Sequence, residues 1–292
     1  MIYTLKNELL TVKVNEVGAE LISVVRNDSG QEYMWNADER YWKRTSPVLF
    51  PVVGSLNHGT YIHEETTYQM PQHGFARDKE FSLVSQSENE LWLELKEDHD
   101  TLKIYPFHFI FQSGYRLCDE SLEVLWKVCN TDSGEVMYFS IGAHPGFNCP
   151  IHGEADSEGY RLQMHSDDGV LYSRINQDGL MLNTKKELEL EHGNIPLTND
   201  FFDHGVYIVE DYQADSVSLL DPKGAEYIKV EFQAPLFGIW SPEKKQAPFI
   251  CIEPWYGRCD RETFEGRLKD REWGNKLAPG EVFERSYTIT FR

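Results

Sequence analysis

Along most of the chain, apolar and polar residues alternate in short runs that end at turn residues such as Asn27-Asp28-Ser29-Gly30 and Asp221-Pro222-Lys223-Gly224. A period of two sends successive side chains to opposite faces of a strand. Many such strands, with turns between them, are typical of an all-β sandwich or barrel. The predicted strands are Leu10–Val14, Leu21–Arg26, Leu91–Lys96, Ile110–Leu117, Leu122–Asn130, Tyr207–Glu210, Ser216–Leu220, Tyr227–Phe232 and Arg285–Phe291.

Helical periodicity is scarce. The best candidates are Asp38–Lys43 and Asp260–Leu268, and each would form only a turn or two. The chain has no internal repeat, no low-complexity tract and no linker rich in Pro, Gly or Ser. We therefore expect one domain over residues 1–292 with few short helices.

Composition and charge narrow the choice of ligand. Hydrophobic residues make up 40% and aromatic residues 13% of the chain, enough for a large buried core. The 28 Lys and Arg residues stand against 48 Asp and Glu, and the net charge of -20 repels nucleic-acid phosphates and anionic membranes. We therefore expect a small uncharged ligand, with neither nucleic acid nor membrane as a partner.

The first ten residues, MIYTLKNELL, do not have the basic and apolar regions of an export signal. The five cysteines form an odd set without a CxxC pair, which argues against a disulfide framework. Both features favour a cytoplasmic protein with reduced thiols.

Four segments combine Gly or Pro turns with titratable and aromatic residues, and could converge on one pocket. They are RTSPVLFPVVG at 44–54, QHGFARDKEF at 72–81, IGAHPGFN at 141–148 and CIEPWYGRCD at 251–260.

Three residues in these segments are candidate proton-transfer or binding groups. His144 lies in a stiff Gly- and Pro-rich stretch and could act as acid or base near neutral pH; alternatively it is a hydrogen-bonded structural histidine. His73 would share one face of an extended strand with Phe75 and Arg77, which suits sugar binding, or would lie at an ordinary strand edge. Glu253 ends an apolar run, where burial would make it a better base.

The alternative for Glu253 is an ion pair with Arg258 or another cation.

Other kinds of active site have little support in the sequence. No HExxH or paired-ligand spacing indicates a catalytic metal, and no GxSxG elbow, P-loop or GxGxxG motif is present.

Taken together and in order, the four segments resemble the aldose 1-epimerase (galactose mutarotase) family, in particular its shorter lactose-operon-associated branch. The likeness rests on PVLFPVVG, HGFAR, GAHPGFN and IEPW, and runs from about Leu9 to Phe291. It implies a large antiparallel β-sandwich with a sugar pocket and no cofactor. It also implies that His144 is the general acid toward the ring oxygen, Glu253 the general base toward the anomeric hydroxyl, and His73 a ligand of the ring oxygen.

The sequence departs from the family after Gly54, where relatives commonly carry a basic residue and this chain has Ser55. Arg77 and Arg44 are candidate substitutes, and Asn57 is a candidate neutral donor. Asp203 is the candidate for the family's pocket aspartate, and Phe75 and Trp255 are candidate aromatic contacts for a sugar.

Three functions stay open at this point. The first is epimerisation of a free hexose of galactose or glucose type, by a monomer or homodimer. The second is the same reaction on a hexose phosphate, bound by Lys43, Arg44, Arg77 and Lys79. The third is a carbohydrate-binding or sensing protein that has kept the fold without turnover.

Overall fold

A computed structural model describes residues 1–154, 156–164, 166 and 169–292. In these residues the chain forms 24 strands, one α-helix and three 3-10 helices. The strands are β1 (Ile2–Lys6), β2 (Leu10–Asn15), β3 (Glu20–Arg26), β4 (Val48–Leu49), β5 (Thr60–His63), β6 (Thr66–Gln69), β7 (Ser82–Gln86), β8 (Glu90–Lys96), β9 (Phe109–Cys118), β10 (Ser121–Asn130), β11 (Met137–Phe139), β12 (Ile141–Ala143), β13 (Gly146–Asn148), β14 (Arg161–Met164), β15 (Val170–Ile175), β16 (Met181–Leu188), β17 (Asn194–Pro196), β18 (Tyr207–Val209), β19 (Ser216–Leu220), β20 (Glu226–Phe232), β21 (Leu236–Trp240), β22 (Phe249–Tyr256), β23 (Asn275–Leu277) and β24 (Val282–Phe291). The α-helix α1 is His99–Ile104, and the 3-10 helices are Asn57–Gly59, Ala76–Asp78 and Leu268–Asp270.

Two large sheets dominate the fold. One has nine strands in the order β17-β14-β19-β20-β24-β10-β9-β8-β7. The other has eight: seven in the order β16-β15-β18-β21-β22-β12-β4, with β13 paired to β22 beside them. The pairs at the centre of both sheets are antiparallel, so the expected large antiparallel β-sandwich is confirmed.

The core lies between the two large sheets. On β10 every second side chain is buried, including Leu122, Val124 and Trp126, as the period of two predicts. Across the core, the ring of Tyr256 on β22 lies 6.4 Å from Trp126 and 5.4 Å from Phe283 on β24. These aromatic contacts hold the nine-stranded sheet against one face of the eight-stranded sheet and leave its other face for the site.

Smaller sheets complete the molecule. Strands β1, β2 and β3 form a three-stranded sheet whose buried residues join the main core, and β5-β6 and β11-β23 are two-stranded. None of the helices in the described residues has the length and apolar character that crossing a membrane requires.

All nine predicted strands are present, with ends that differ by a few residues. The two predicted helices are wrong. Residues 38–43 form a single turn with irregular backbone on both sides, and the N–H groups of Tyr41 and Trp42 both bond the Asp38 carbonyl. Residues 260–268 are bridge, turn and irregular backbone, and a 3-10 helix begins only at Leu268.

Candidate active site

Strand β22 supplies both the core and the site, because its side chains alternate between the two faces of the sheet. Ile250, Ile252 and Tyr256 belong to the main core. Cys251, Glu253 and Trp255 lie on the opposite face, outside that core. The position of Glu253 along the strand therefore directs its carboxyl away from the sandwich core, yet only 1% of the residue is exposed.

Two glycines on the neighbouring strands make room on this face. Gly142 on β12 and Gly238 on β21 stand beside β22, opposite Trp255 and Glu253 respectively. A Cβ at Gly142 would lie 2.5 Å from the Trp255 ring, and one at Gly238 would lie 2.6 Å from it. The indole therefore lies flat across the sheet, and its N–H donates to the carbonyl of Ala143 at 3.2 Å.

His144 follows β12 directly and stands over Glu253. Its Nε2 lies 3.3 Å from Oε2 of Glu253. The imidazole is held between two indoles, with Trp42 tilted against it at 4.8 Å between ring centroids and Trp240 edge-on at 5.3 Å. In the described residues, neither the other ring nitrogen of His144 nor Oε2 of Glu253 has a hydrogen-bond partner. A structural histidine would have its polar atoms paired, so this geometry favours a functional role.

His73 approaches from another part of the chain. Its backbone has a φ of 65°, and the following Gly74 has a φ of 71°, where a Cβ would lie 2.2 Å from the Phe50 carbonyl oxygen. The Gly54 N–H donates to Nδ1 of His73 at 3.1 Å, and the His73 N–H donates to the Gly54 carbonyl at 2.9 Å.

The bond from Gly54 selects the tautomer of His73. Because Nδ1 accepts a hydrogen bond, the proton of the neutral ring is on Nε2, which is left as a donor. The His73 and His144 rings meet edge to face at 5.6 Å between centroids.

These groups surround one cavity of about 220 Å³. Its lining combines acid–base groups with apolar and aromatic walls, as ligand sites commonly do. The lining residues are Trp42, Val53, Gly54, Gln72, His73, Arg77, His144, Ile175, Gly179, Val206, Ile208, Trp240, Glu253, Trp255 and Cys259.

Burial shifts the pKa of all three central groups toward their neutral forms. Desolvation raises the pKa of Glu253 well above the usual carboxyl value, opposed in part by the side chain of Trp255. Desolvation lowers the pKa of His144 to about 3, and the positive charges of Arg77 and Arg44 act in the same direction. The pKa of His73 is also well below its usual value because of burial, with His144 and the two arginines adding to the effect.

Five of the nine residues singled out from the sequence line this cavity: His73, His144, Glu253, Arg77 and Trp255. Arg77 reaches the cavity from the 3-10 helix Ala76–Asp78. The prediction of an extended strand with His73, Phe75 and Arg77 on one face is therefore wrong. The Arg77 guanidinium donates to the Gln72 carbonyl at 2.7 Å. Its buried Nε has no hydrogen-bond partner in the described residues and lies 3.9 Å from the Asp78 carboxylate.

The other four lie outside the cavity. Phe75 is in the main core, packed on Phe50, Tyr105 and Phe109, because the turn at Gly74 directs it inward. The Asn57 side chain donates to the Phe264 carbonyl at 2.9 Å and so holds a loop.

Arg44 pairs with Asp78 at 2.7 Å and does not line the cavity. Asp203 lines an open cleft beside the cavity, and the two spaces share Gln72, Ile175 and Gly179.

Arg258, the alternative ion-pair partner of Glu253, pairs with other carboxylates. Arg258 is buried and bonds Glu210 at 2.7 Å through Nε, while its Nη2 contacts Glu272. Glu253 is thus left facing His144.

The sequence analysis did not predict three of the polar or aromatic residues that line the cavity, which are Trp42, Gln72 and Trp240. Of these, Gln72 stands directly before His73 in a segment already singled out.

Comparisons with known proteins agree with this fold. The family model described as aldose 1-epimerase matches residues 1–290. The chain is 30% identical to the chromosomal protein LacX of Lactococcus lactis subsp. lactis, over 99% of both chains.

Solved structures of galactose mutarotase-like proteins have the same fold. A galactose mutarotase related enzyme of Lactobacillus acidophilus is 33% identical, with a TM-score of 0.94 over 100% of this chain and 97% of that one. A galactose mutarotase-like protein of Lactobacillus casei is 29% identical, with a TM-score of 0.93 over 100% of both chains.

Proposed function

The chain belongs to the aldose 1-epimerase family, and from that premise we propose that it interconverts the α and β anomers of a free hexose of galactose or glucose type. The observation that carries the proposal is the pair of His144 and Glu253, whose facing atoms are 3.3 Å apart in a buried cavity. Acid–base opening of the ring and its reclosure need one proton acceptor and one proton donor.

The reaction follows from that pair. The reactive form of the pair has its one shared proton on His144 and Glu253 ionised. From that form Glu253 accepts the proton of the C1 hydroxyl while His144 donates its proton to the ring oxygen, and the bond between C1 and the ring oxygen breaks. Rotation about the bond from C1 to C2 presents the other face of the aldehyde. Reclosure returns the proton from Glu253 to the C1 oxygen and the ring-oxygen proton to His144, so that the enzyme ends as it began.

His73 stabilises the ring oxygen in this proposal. Gly54 holds its Nδ1 as an acceptor, so the Nε2–H is a fixed donor. A donor positioned in advance in a site that excludes water stabilises developing charge without reorganising during the reaction.

The cavity favours a neutral sugar over a hexose phosphate. Of the four cations considered for a phosphate, Arg44 and Arg77 both pair with Asp78, and Lys79 pairs with Asp98 at 2.8 Å. Only Arg77 lines the cavity. Trp42, Trp240 and Trp255 supply apolar surfaces of the kind that cover the C–H faces of a sugar.

A pure binding protein is also disfavoured. Binding a neutral sugar does not require a buried imidazole to face a buried carboxyl at 3.3 Å, and burying both groups away from water costs free energy.

Polarimetry or NMR on freshly dissolved α-galactose, α-glucose and glucose 6-phosphate tests the proposal. Wild type should speed equilibration of at least one free hexose above the buffer rate. Glu253→Gln and His144→Asn should each lose at least about 10²-fold, the lower end of what a general acid or base contributes. His63→Asn is a matched control, because His63 pairs with Glu135 and does not line the cavity.

Equilibration of every sugar at the buffer rate would overturn the proposed enzyme and leave the binding protein. A response to glucose 6-phosphate alone would replace the free hexose by the phosphate as substrate.

A further inference from the structure

The proposed reaction does not use Cys251, although this thiol lies beside its two central groups. Cys251 and Glu253 are two residues apart on β22 and therefore on the same face of the sheet. One ligand atom each of His144, Cys251 and Glu253 lies within 4.8 Å of the other two, and all three residues are buried.

The donor set fits a thiophilic divalent cation. Zinc takes nitrogen, sulfur and carboxylate oxygen at about 2.0–2.3 Å in a tetrahedron, which puts ligand atoms roughly 3.3–3.8 Å apart. His144 Nε2 and Glu253 Oε2 are already 3.3 Å apart. Small rotations of the Cys251 and Glu253 side chains would bring the remaining distances into range.

Two further observations point to a ligand here. Oε2 of Glu253 is buried without a hydrogen-bond partner in the described part of the chain, and it faces the imidazole. Charge also balances, because a dication with one thiolate and one carboxylate is neutral overall. A neutral cluster is far less costly to bury than an isolated ion.

We propose that His144, Cys251 and Glu253 form a binding site for Zn²⁺ or a similar thiophilic cation, with the fourth position open to the cavity. Three protein ligands and one open position are the arrangement of an accessible zinc site rather than a closed structural one. Nδ1 of His144 has no partner among the described residues to orient the ring. We therefore expect affinity about 10–100-fold below that of a site with its outer hydrogen bonds complete.

Bound metal blocks the proposed epimerase. This consequence, unlike the metal site itself, rests on the proposed function, since the cation would occupy the general acid and the general base together. Reversible inhibition by Zn²⁺, relieved by a chelator, should follow.

Binding is tested directly with Co²⁺ and Zn²⁺ on the full chain. Co²⁺ bound to a thiolate gives a sulfur-to-metal charge-transfer absorption in the near ultraviolet, and Zn²⁺ should remove it by displacement. Cys251→Ser should abolish that absorption and weaken Zn²⁺ binding at least about tenfold. Cys259→Ser is the matched control, because Cys259 is also buried and lines the cavity but lies outside the cluster.

Inhibition is then measured for each variant relative to its own rate without metal. Loss of inhibition in Cys251→Ser and its retention in Cys259→Ser are the expected results. The metal proposal is overturned if wild type gives no thiolate band, or if Cys259→Ser rather than Cys251→Ser removes it. Metal binding without any epimerase activity would overturn the proposed function and leave the metal site standing.

Discussion

At the scale of single residues, the candidate site buries the two groups to which we assign proton transfer. Burial pushes the pKa of Glu253 up and the pKa of His144 down to about 3. Over the interval between these two values the pair keeps one proton, whichever of the two groups holds it. That single shared proton is what the proposed reaction requires.

A broad pH plateau follows for kcat/KM. Falling pH adds a second proton to the pair only near the lowered His144 pKa of about 3. Rising pH removes the shared proton only above the raised Glu253 pKa. Polarimetry corrected for the buffer rate should therefore show no loss of activity as the pH falls through about 6.5, the ordinary pKa of histidine. A sharp acidic limb at that pH would contradict the proton count.

Gly238 is a residue whose lack of a side chain shapes the cavity. Gly238→Ala places a Cβ 2.6 Å from the Trp255 ring, and the crowding should destabilise the fold by about 1–3 kcal/mol. The displaced indole should also lower kcat/KM. Gly134→Ala is the control, because nothing lies within 4 Å of its Cβ position. Urea unfolding and polarimetry measure both effects, and equal stability of the two variants would count against the packing argument.

At the scale of elements, α1 begins with a capping box. The Asp98 carboxylate accepts from the N–H groups of Asp100 and Thr101, while the Thr101 hydroxyl accepts from the Asp98 N–H. These bonds satisfy N–H groups that the first helical turn leaves unpaired.

Asp98→Ala should lower the free energy of unfolding by about 0.5–2 kcal/mol, the usual cost of losing such a cap. Epimerase activity should not change, since α1 does not line the cavity. Asp100→Ala is the comparison, because that carboxylate is exposed and pairs only with Lys103 in the described residues. Chemical denaturation that gave both variants the same loss would show that the cap has no special role.

The sequence predicts elements well where alternation is long and regular. β10 alternates over its full length and was predicted almost to the residue. β12, with three residues, is too short to show a period, and α1 has only six. The pair of Asp98 and Thr101 is the local signal that could have indicated α1.

The site is predictable only in part, because its residues meet through pairing between distant strands. His144 and Glu253 are 109 positions apart in sequence, yet they face each other because β12 pairs with β22. Trp42 lies beside a turn in a segment for which the sequence predicts a helix. Trp240 ends an apolar run, and that run does not indicate which face of the sheet its side chains occupy. The strand pattern predicts Phe75 in the pocket, because that pattern does not reveal the left-handed turn at His73 and Gly74.

At the scale of the whole molecule, an ionic cluster around the buried Arg258 ties the end of strand β18 to the segment after β22. Arg258 bonds Glu210, which follows β18, and contacts Glu272 beyond β22. Trp273 adds a bond from its indole N–H to Glu210 at 3.0 Å. The cluster borders the cavity through Cys259, whose carbonyl accepts from Arg258 at 2.8 Å.

Arg258→Ala should destabilise the fold by about 3–5 kcal/mol, because it removes the buried cation that lies 2.7 Å from the carboxylate of Glu210 and leaves, among the described residues, only the exposed Lys185 at 3.6 Å. Arg261→Ala removes a more exposed partner of the same Glu272 and should cost at most about 1 kcal/mol. Urea denaturation of the two variants separates these cases. A small loss for Arg258→Ala would mean that Lys185 and Trp273 suffice to hold Glu210.

The two-faced arrangement of β22 has a consequence for how such a chain can diversify. Each substitution at Glu253 or Trp255 alters the cavity lining, and each at Ile250, Ile252 or Tyr256 alters the core. A substitution at Cys251 alters the apolar cluster on which Trp42 packs. Few substitutions in β22 should therefore preserve both the fold and the site. In a library of variants, fewer changes should be tolerated in β22 than in the edge strand β16, most of which is exposed. New sugar preferences would have to arise in the surrounding walls, at positions such as Ile175 and Gly179 before β16, while β22 stays fixed.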